Sequence, residues 1–262
     1  GQSDLAATMK RDANGGYEVE ISGKRFDFRP YLDSMLESAP PNAAKAPPLS
    51  LSARFDQFVL TDDHVLSGFV ATAVRLQDIW STVDASGTLG PNAPMRLSIR
   101  PNGKRRSLQL SSNDGGAVLK AQAVSDNTVG GTLVLQAEMQ DDLPEAPIKG
   151  RIQLDKFKVV KAPLMARILT VASLTGITEL LGGEGISFVR AEVPFTWVGS
   201  SIKIEQARAW GSAIGFTADG SLDRASDTAN LNGTIVPAYT INTVLGAIPL
   251  IGKLLVSKPG EG

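Results

Sequence analysis

The sequence lacks cysteine altogether and contains one histidine, His64, among its 262 residues. The absence of cysteine excludes disulfides, thiolate nucleophiles and cysteine-ligated metals. A single histidine also excludes an HExxH metal motif, and any Ser–His–Asp triad would have to use His64. His64 follows Asp62 and Asp63 in the stretch TDDHVL. Acidic neighbours suit a metal ligand or a charge-tuned base, but turns commonly collect these residue types, and we interpret the stretch as a solvated turn.

The sequence also lacks an excess of charge of one sign and is poor in aromatic residues. Its 26 Lys and Arg against 27 Asp and Glu give a net charge of −1, so there is no electrostatic case for nucleic-acid binding. Aromatic residues make up 6% of the chain, so Leu, Ile, Val and Ala supply most of the apolar surface. The first sixteen residues contain no apolar run of the kind found in a signal peptide. We expect any export signal to lie upstream of Gly1.

Most of the chain alternates apolar and polar residues, which predicts antiparallel strands with one apolar face. Residues 49–139 read as strands with turn signals about 8–12 residues apart. The clearest hairpin is MRLSIRPNGKRRSLQLSS, with its turn at Asn102-Gly103. Similar patterns predict a hairpin turn at Ser22-Gly23 and another around Gly130-Gly131. One apolar face per strand suits either a sandwich core, which is the usual cause of alternation, or the lining of a groove.

Helices are predicted at a few places only. Residues 29–37 suit one or two helical turns before a Pro/Ala linker over 38–50. A stronger helix begins after Pro163 and ends at Gly182-Gly183, with a broad apolar face that includes Leu164, Ile168 and Leu169. The glycines of LLGGEGISF follow this helix, whereas a phosphate-binding glycine loop precedes one, so we interpret them as a helix cap.

The least polar segment lies near the chain end, in TIVPAYTINTVLGAIPLIGKLL. Pro237 and Pro249 divide it into two short amphipathic helices within Tyr239–Val256, each too short to span a bilayer. Their apolar faces contain Ile241, Val244, Leu245, Ile248, Leu250, Ile251 and Leu254. These helices suit either a cap on the open end of a β structure or a membrane interface. The basic cluster GKRR at 103–106 suits a solvated hairpin end or contact with anionic headgroups.

Several of these motifs together resemble a known family. The stretch from Gly150 to Trp197, with its AP helix and GGEGISF return strand, is followed by GSAIGFTADGSLD and then by GTIVPAY and IPLIGKLL. This order resembles the C-terminal region of AsmA-like proteins of Gram-negative bacteria, most of all the YhdP-type branch. A weaker likeness lies in MKRDANGGYEVEISGKRFDFRPYL and DDHVLSGFVATAVRLQDIW. WVGSSIKIEQ stands where the family commonly has a DG-x-L turn. The chain also stops at KPGEG and has no N-terminal anchor, so we expect a fragment of a larger anchored protein.

The resemblance implies a fold and a function. The expected fold is mainly β with a few helices: an elongated, strongly curved antiparallel sheet that forms an apolar groove capped by short amphipathic helices. Residues 1–48 would end an upstream β unit and its linker, 49–149 would form the meander, and 150–262 the AsmA-like region with helices near 163–181 and 238–256. The implied function is a periplasmic, non-enzymatic lipid conduit in a protein anchored in the inner membrane, carrying phospholipids to or from the outer membrane without cofactor or metal.

The expected partners are phospholipid acyl chains, the outer-membrane surface, and the upstream domains and anchor of the same protein. The alternative is a structural or assembly factor for outer-membrane biogenesis that carries no lipid. The predicted groove-lining residues are Leu97, Ile99, Leu108, Leu110, Leu133, Leu135, Ile152 and Leu154. The predicted groove-closing or membrane-proximal residues are Leu164, Ile168, Leu169, Ile241, Val244, Leu245, Ile248, Leu250, Ile251 and Leu254.

Overall fold

The structure is a computed structural model. It describes residues 3–13, 15–30, 46–61, 64–76, 79–122, 124–140, 146–160, 185–212 and 214–237. Thirteen strands and one helix are described. They are β1 (Asp4–Arg11), β2 (Tyr17–Asp27), β3 (Leu49–Val59), β4 (Val65–Leu76), β5 (Ile79–Leu89), β6 (Ala93–Asn102), β7 (Arg105–Ser112), α1 (Gly115–Ala121), β8 (Thr128–Gln140), β9 (Ile148–Val159), β10 (Ile186–Val198), β11 (Ser201–Gly211), β12 (Ile214–Asp223) and β13 (Thr228–Pro237).

All thirteen strands form one sheet in chain order, from β1 at one edge to β13 at the other. The sheet is long and curved and does not close on itself, which confirms the prediction of a mainly β chain built on a curved antiparallel sheet. It also runs without a break past residues 48 and 149, because β2 pairs with β3 and β8 pairs with β9. The division of the chain at these two points stays a prediction.

One strand pair is parallel. Tyr17 pairs with Leu49 and Asp27 with Val59, whereas every other pair in the sheet is antiparallel. A parallel pair needs a connection that returns to the end of the sheet where the first strand began. The chain therefore crosses from one end of the sheet to the other between β2 and β3.

The two ends of the sheet differ in how they are packed. At the end where β2 and β3 finish, Phe58 stacks on Phe69 with ring centroids 4.0 Å apart, and α1 packs mainly on β8. We call this the helix end. At the other end β2 begins at Tyr17 and β3 at Leu49, and we call it the open end. No helix among the described residues is long and apolar enough to cross a membrane.

The predicted hairpin turn at Ser22-Gly23 is wrong. β2 runs straight through these residues, and the hairpin is formed by β1 and β2 around Asp12, whose side chain accepts a hydrogen bond from the Gly16 amide. The glycine is needed because β1 approaches closely: a Cβ at Gly23 would lie 2.0 Å from the carbonyl oxygen of Asp4. The apolar pattern changes parity here because the register shifts between Asp4 and Leu5, an irregularity that realigns side chains without reversing the chain.

The predicted hairpin around Gly130-Gly131 is also wrong. Both glycines lie inside β8 with φ of 66° and 88°, and the segment before them forms α1. Asp114 caps this helix by accepting a hydrogen bond from the Ala117 amide at 3.0 Å. The hairpin of β6 and β7 is confirmed, with Gly103 and Lys104 between the strands and Gly103 at φ 62°.

The predicted helices over 163–181 and 238–256, and nearly all of the predicted turns at 29–37, lie outside the described residues. β13 takes up the first part of the apolar end segment, through Pro237. Residues 186–237 contain four strands, β10 to β13, which agrees with the prediction of antiparallel strands along most of the chain.

Candidate functional site

A row of residues without a polar side chain crosses the whole sheet. Each member pairs in register with its neighbours on the adjoining strands, so the row contains one residue from every strand. From β1 to β13 the row consists of Met9, Val19, Leu51, Ala73, Val83, Ile99, Leu108, Ala137, Gly150, Phe195, Ile204, Gly220 and Leu231. We call it the apolar row, and the face of the sheet that carries it the apolar face.

A second apolar row lies two residues nearer the helix end. It begins at Ala7 on β1 and reaches Val193 on β10 through residues paired in the same way. Between them lie Ile21, Ala53, Ala71, Ala85, Leu97, Leu110, Leu135 and Ile152. The two rows form a continuous apolar band, because strand neighbours lie about 5 Å apart.

The predicted groove residues fall into two groups on this face. Ile99 and Leu108 belong to the apolar row, and Leu97, Leu110, Leu135 and Ile152 belong to the second row; all six are half-buried. Leu133 and Leu154 are 3% and 5% exposed and belong to the packed cluster at the helix end. The sequence alone could not separate the two groups, because all eight residues alternate with polar neighbours in the same way.

The helix end of the apolar face is tightly packed. Val118 and Ala121 of α1 are buried against the sheet. A Cβ added to Gly115 would lie 2.2 Å from Cδ1 of Leu154, so glycine lets the helix approach closely. This end therefore has the packing of a protein core, in which little space is left.

Along the apolar row exposure is greatest at the two edges of the sheet, where Met9 is 69% and Leu231 is 50% exposed. Between the edges most members are half-buried, and Ala73 and Ala137 are buried. In the part of the chain that the structure describes there is one sheet and one helix, and α1 contacts mainly β8, with β6 and β9 touched less. The described residues therefore supply no second layer over most of the apolar row. The predicted groove-closing residues, from Leu164 to Leu169 and from Ile241 to Leu254, lie outside them.

The opposite face of the sheet is polar and carries ion pairs across its strands. Arg190 donates to Asp155 at 2.5 Å, and Arg208 donates to Glu192 at 2.5 Å. Burial raises the pKa of Asp155, but hydrogen bonds from Arg190 and Gln153 outweigh it, so this pKa lies below its ordinary value. These pairs join β9, β10 and β11.

A depression of about 450 Å³ also lies on the polar face, over β4 to β7. Thr72, Asp84, Ser98 and Gln109 are among its lining residues, and the strand partners Asp84 and Ser98 come from β5 and β6. It is open to solvent and lined by residues typical of a solvated sheet surface.

His64 lies in a tight turn, as its neighbours predicted. Its Nδ1 is 2.8 Å from Oγ1 of Thr61, and its backbone amide donates to the Thr61 carbonyl. Within the described segments no three His, Asp or Glu side chains come together in a group that suits a metal ion. The turn geometry accounts for the hydrogen bonds that His64 makes.

Sequence reasoning missed the apolar residues of β4 that line this face. Over residues 70–74 the larger side chains, Val70 and Val74, are 38% and 36% exposed on the polar face, while Ala71 and Ala73 face the apolar side. In this stretch side-chain size therefore indicates the wrong face. The pairing of Ala73 with Leu51 identifies the correct face, and this pairing is known only from the tertiary structure.

Comparisons of the chain with models of protein families, with curated proteins and with solved structures find no match. The likeness to AsmA-like proteins therefore rests on the sequence motifs alone.

Proposed function

We propose that this chain is a lipid-binding conduit module of a larger, membrane-anchored envelope protein, in which phospholipid acyl chains lie on the apolar face. The observation that carries the proposal is the apolar row, which crosses all thirteen strands without a polar side chain. In this proposal the module lies in the periplasm and carries phospholipids between the inner and outer membranes.

The exposed part of the apolar band is unfavourable in water. Apolar surface in water costs about 25 cal/mol per Å², and large apolar patches on soluble proteins usually mark binding surfaces. An acyl chain laid across the band removes apolar surface from water on both partners. A row that continues from strand to strand lets the acyl chain slide from one apolar neighbour to the next without passing a polar group.

The apolar row contains few bulky side chains. Phe195 is its one aromatic member, and four of its thirteen members are alanine or glycine, namely Ala73, Ala137, Gly150 and Gly220. A sandwich core of this length would need large interdigitating side chains to reach native packing density. Transfer along a surface of this kind needs no nucleophile, metal or nucleotide from the chain.

The experiment is to purify the chain from bacterial cells, extract it with organic solvent and analyse the extract by thin-layer chromatography, with native mass spectrometry of the intact chain in parallel. We expect co-purified phospholipid and saturable binding of a neutral fluorescent probe, N-phenyl-1-naphthylamine. Recovery of no phospholipid together with no probe binding would contradict the proposal.

The second candidate is a structural or assembly factor that carries no lipid. The two edge strands favour it, because every described residue of β1 is exposed and nearly all of β13 is. An exposed strand edge presents unpaired backbone groups to another chain. This candidate predicts strand-edge binding to a protein partner, abolished by a proline in β1 at Ala7, with no lipid in the extract.

A further inference from the structure

All three tryptophans of the chain have an arginine over the ring. The guanidinium carbon of Arg75 lies 5.8 Å from the centroid of Trp80, that of Arg224 lies 5.3 Å from Trp197, and that of Arg208 lies 5.5 Å from Trp210. Such distances are typical of cation–π contacts. The three pairs differ in the face they occupy and in whether the cation is neutralised.

The first pair lies at the open end of the apolar face. Arg75 pairs with Trp80 across β4 and β5 and with Leu49 across β3 and β4. Arg75 follows Ala73 with the same side-chain direction, because successive residues of a strand alternate in face. A cation here is unexpected, since the preceding residues on this side of β4 are apolar.

The second pair lies at the same end, farther along the sheet. Trp197 pairs with Ile148 on β9 and with Ile202 on β11, so it is on the apolar face. Its indole Nε1 donates to the Gly199 carbonyl at 2.7 Å, which fixes the ring. Arg224 follows β12 in the turn, and its backbone amide donates to the Ser200 carbonyl at 3.0 Å.

Neither of these two arginines has a carboxylate partner among the described residues. The Arg75 guanidinium has one long hydrogen bond, from Nη2 to the Pro47 carbonyl at 3.5 Å, and its buried Nε has no partner. A buried donor left without an acceptor destabilises the folded chain, because it has lost its hydrogen bonds to water. By contrast, Arg208 on the polar face is paired with Glu192.

We propose that the pairs Arg75–Trp80 and Arg224–Trp197 are headgroup sites, each holding the phosphate of a phospholipid whose acyl chains lie on the apolar face; this rests on the proposed function. Guanidinium binds phosphate through paired N–H donors. Tryptophan prefers the boundary between apolar and polar surroundings, where its ring is covered and its N–H finds an acceptor. The lipid would therefore lie with its headgroup at the open end and its tails directed along the strands towards α1.

A third arginine at the open end supports this orientation. Arg106 pairs with Pro101 and shares the side-chain direction of Leu108, so it projects from the apolar face. Its Nη1 donates to the Trp80 carbonyl at 2.7 Å. Basic side chains therefore gather at one end of an otherwise apolar band, and the helix end is closed by packed aromatic rings.

The test compares the wild-type chain with the double variant Arg75→Gln, Arg224→Gln. The matched control is Arg54→Gln, Arg151→Gln, which removes two exposed arginines from the polar face of β3 and β9. The ligands are dioctanoylphosphatidylglycerol, dioctanoylglycerol, inorganic phosphate and the neutral probe N-phenyl-1-naphthylamine. Circular dichroism and the thermal unfolding midpoint verify that each variant is folded.

We expect the wild type to bind dioctanoylphosphatidylglycerol at least about tenfold more tightly than dioctanoylglycerol. The double variant should lose that difference while keeping its affinity for dioctanoylglycerol and for the neutral probe, and the control should behave as the wild type. Unchanged phosphatidylglycerol affinity in a double variant that binds the probe would overturn the headgroup sites and leave the proposed function standing.

Two other results would also overturn the headgroup sites. If inorganic phosphate binds as tightly as the phospholipid and dioctanoylglycerol does not bind, the arginines form a plain anion site. If the wild type binds neither phospholipid nor the neutral probe, the proposed function itself fails and the headgroup sites fail with it.

Discussion

The ring of Phe157 stacks on the ring of Phe188 across β9 and β10, with centroids 5.0 Å apart and planes inclined by 9°. The two residues are strand partners at the helix end, and both are buried in the packed cluster. Phe157 reaches the apolar face although Asp155, two residues earlier, lies on the polar face. Lys156 between them has φ 54°, and this local irregularity realigns the side chains that follow.

The first prediction is that Phe188→Ala destabilises the chain by about 3–5 kcal/mol, because it leaves a cavity in the packed cluster. Urea unfolding followed by circular dichroism measures the change in free energy of unfolding. Val189→Ala is the control: Val189 is the next residue on the same strand and is 57% exposed, so the expected change is within about 0.5 kcal/mol. Equal changes in the free energy of unfolding for the two substitutions would show that packing of Phe188 in the cluster does not stabilise the fold.

The second prediction concerns Gly116 in α1. Gly→Ala in a helix normally stabilises by about 1 kcal/mol. Here a Cβ would lie 2.6 Å from the Thr128 carbonyl and 2.9 Å from the Gly130 amide, so Gly116→Ala should instead destabilise, by about 1–3 kcal/mol. Thermal unfolding gives the sign directly. Lys120→Ala, on the exposed side of α1, should change stability little, and a stabilising Gly116→Ala would contradict the close packing of α1 on β8.

The third prediction separates the apolar row from the packed cluster. Ile99→Glu places a carboxylate on the half-buried apolar row, where the side chain can reach water, so the chain should fold while affinity for N-phenyl-1-naphthylamine falls by at least about tenfold. Leu154→Glu places the same charge in the buried cluster and should prevent folding, because an unpaired buried charge is costly. Gln109→Glu, on the exposed polar face of β7, is the control and should affect neither property. Unfolding of the Ile99 variant would show that the row is core.

The fourth prediction is a pH dependence of stability centred on Asp27. A side-chain hydrogen bond from Arg29 lowers the pKa of Asp27 from 3.8 to about 2. The pKa is lower in the folded chain, so this carboxylate contributes stability above its unfolded value of 3.8, and the contribution is lost as the pH falls from 3.8 towards 2. Asp27→Asn removes the titrating group. The difference in unfolding midpoint between wild type and Asp27→Asn should therefore be constant from pH 7 to 5 and shrink below pH 4. A difference that stays constant down to pH 2.5 would contradict the ion pair between Asp27 and Arg29.

Local sequence is enough to predict most of the strands and most of their faces. In β6 and β7, Leu97, Ile99, Leu108 and Leu110 alternate with polar neighbours. Because side chains of a strand alternate between its two faces, this pattern predicts which residues lie on the apolar face. The hairpin between them also followed, because Gly103 readily adopts the positive φ that the turn requires. These properties are local, and local sequence encodes them.

How the strands join, and which apolar residues remain uncovered, depends on contacts between residues far apart in the chain. Gly23 resembles a turn residue in sequence, yet it lies within β2 because β1 approaches its backbone. The parallel pairing of β2 with β3 depends on where the chain crosses the sheet, which alternation does not encode. Leu154 and Ile152 have the same pattern, but α1 packs over the first and leaves the second half-buried. Likewise, Arg75 and Trp80 meet only because their strands pair, so the cation at the open end follows from contacts between strands.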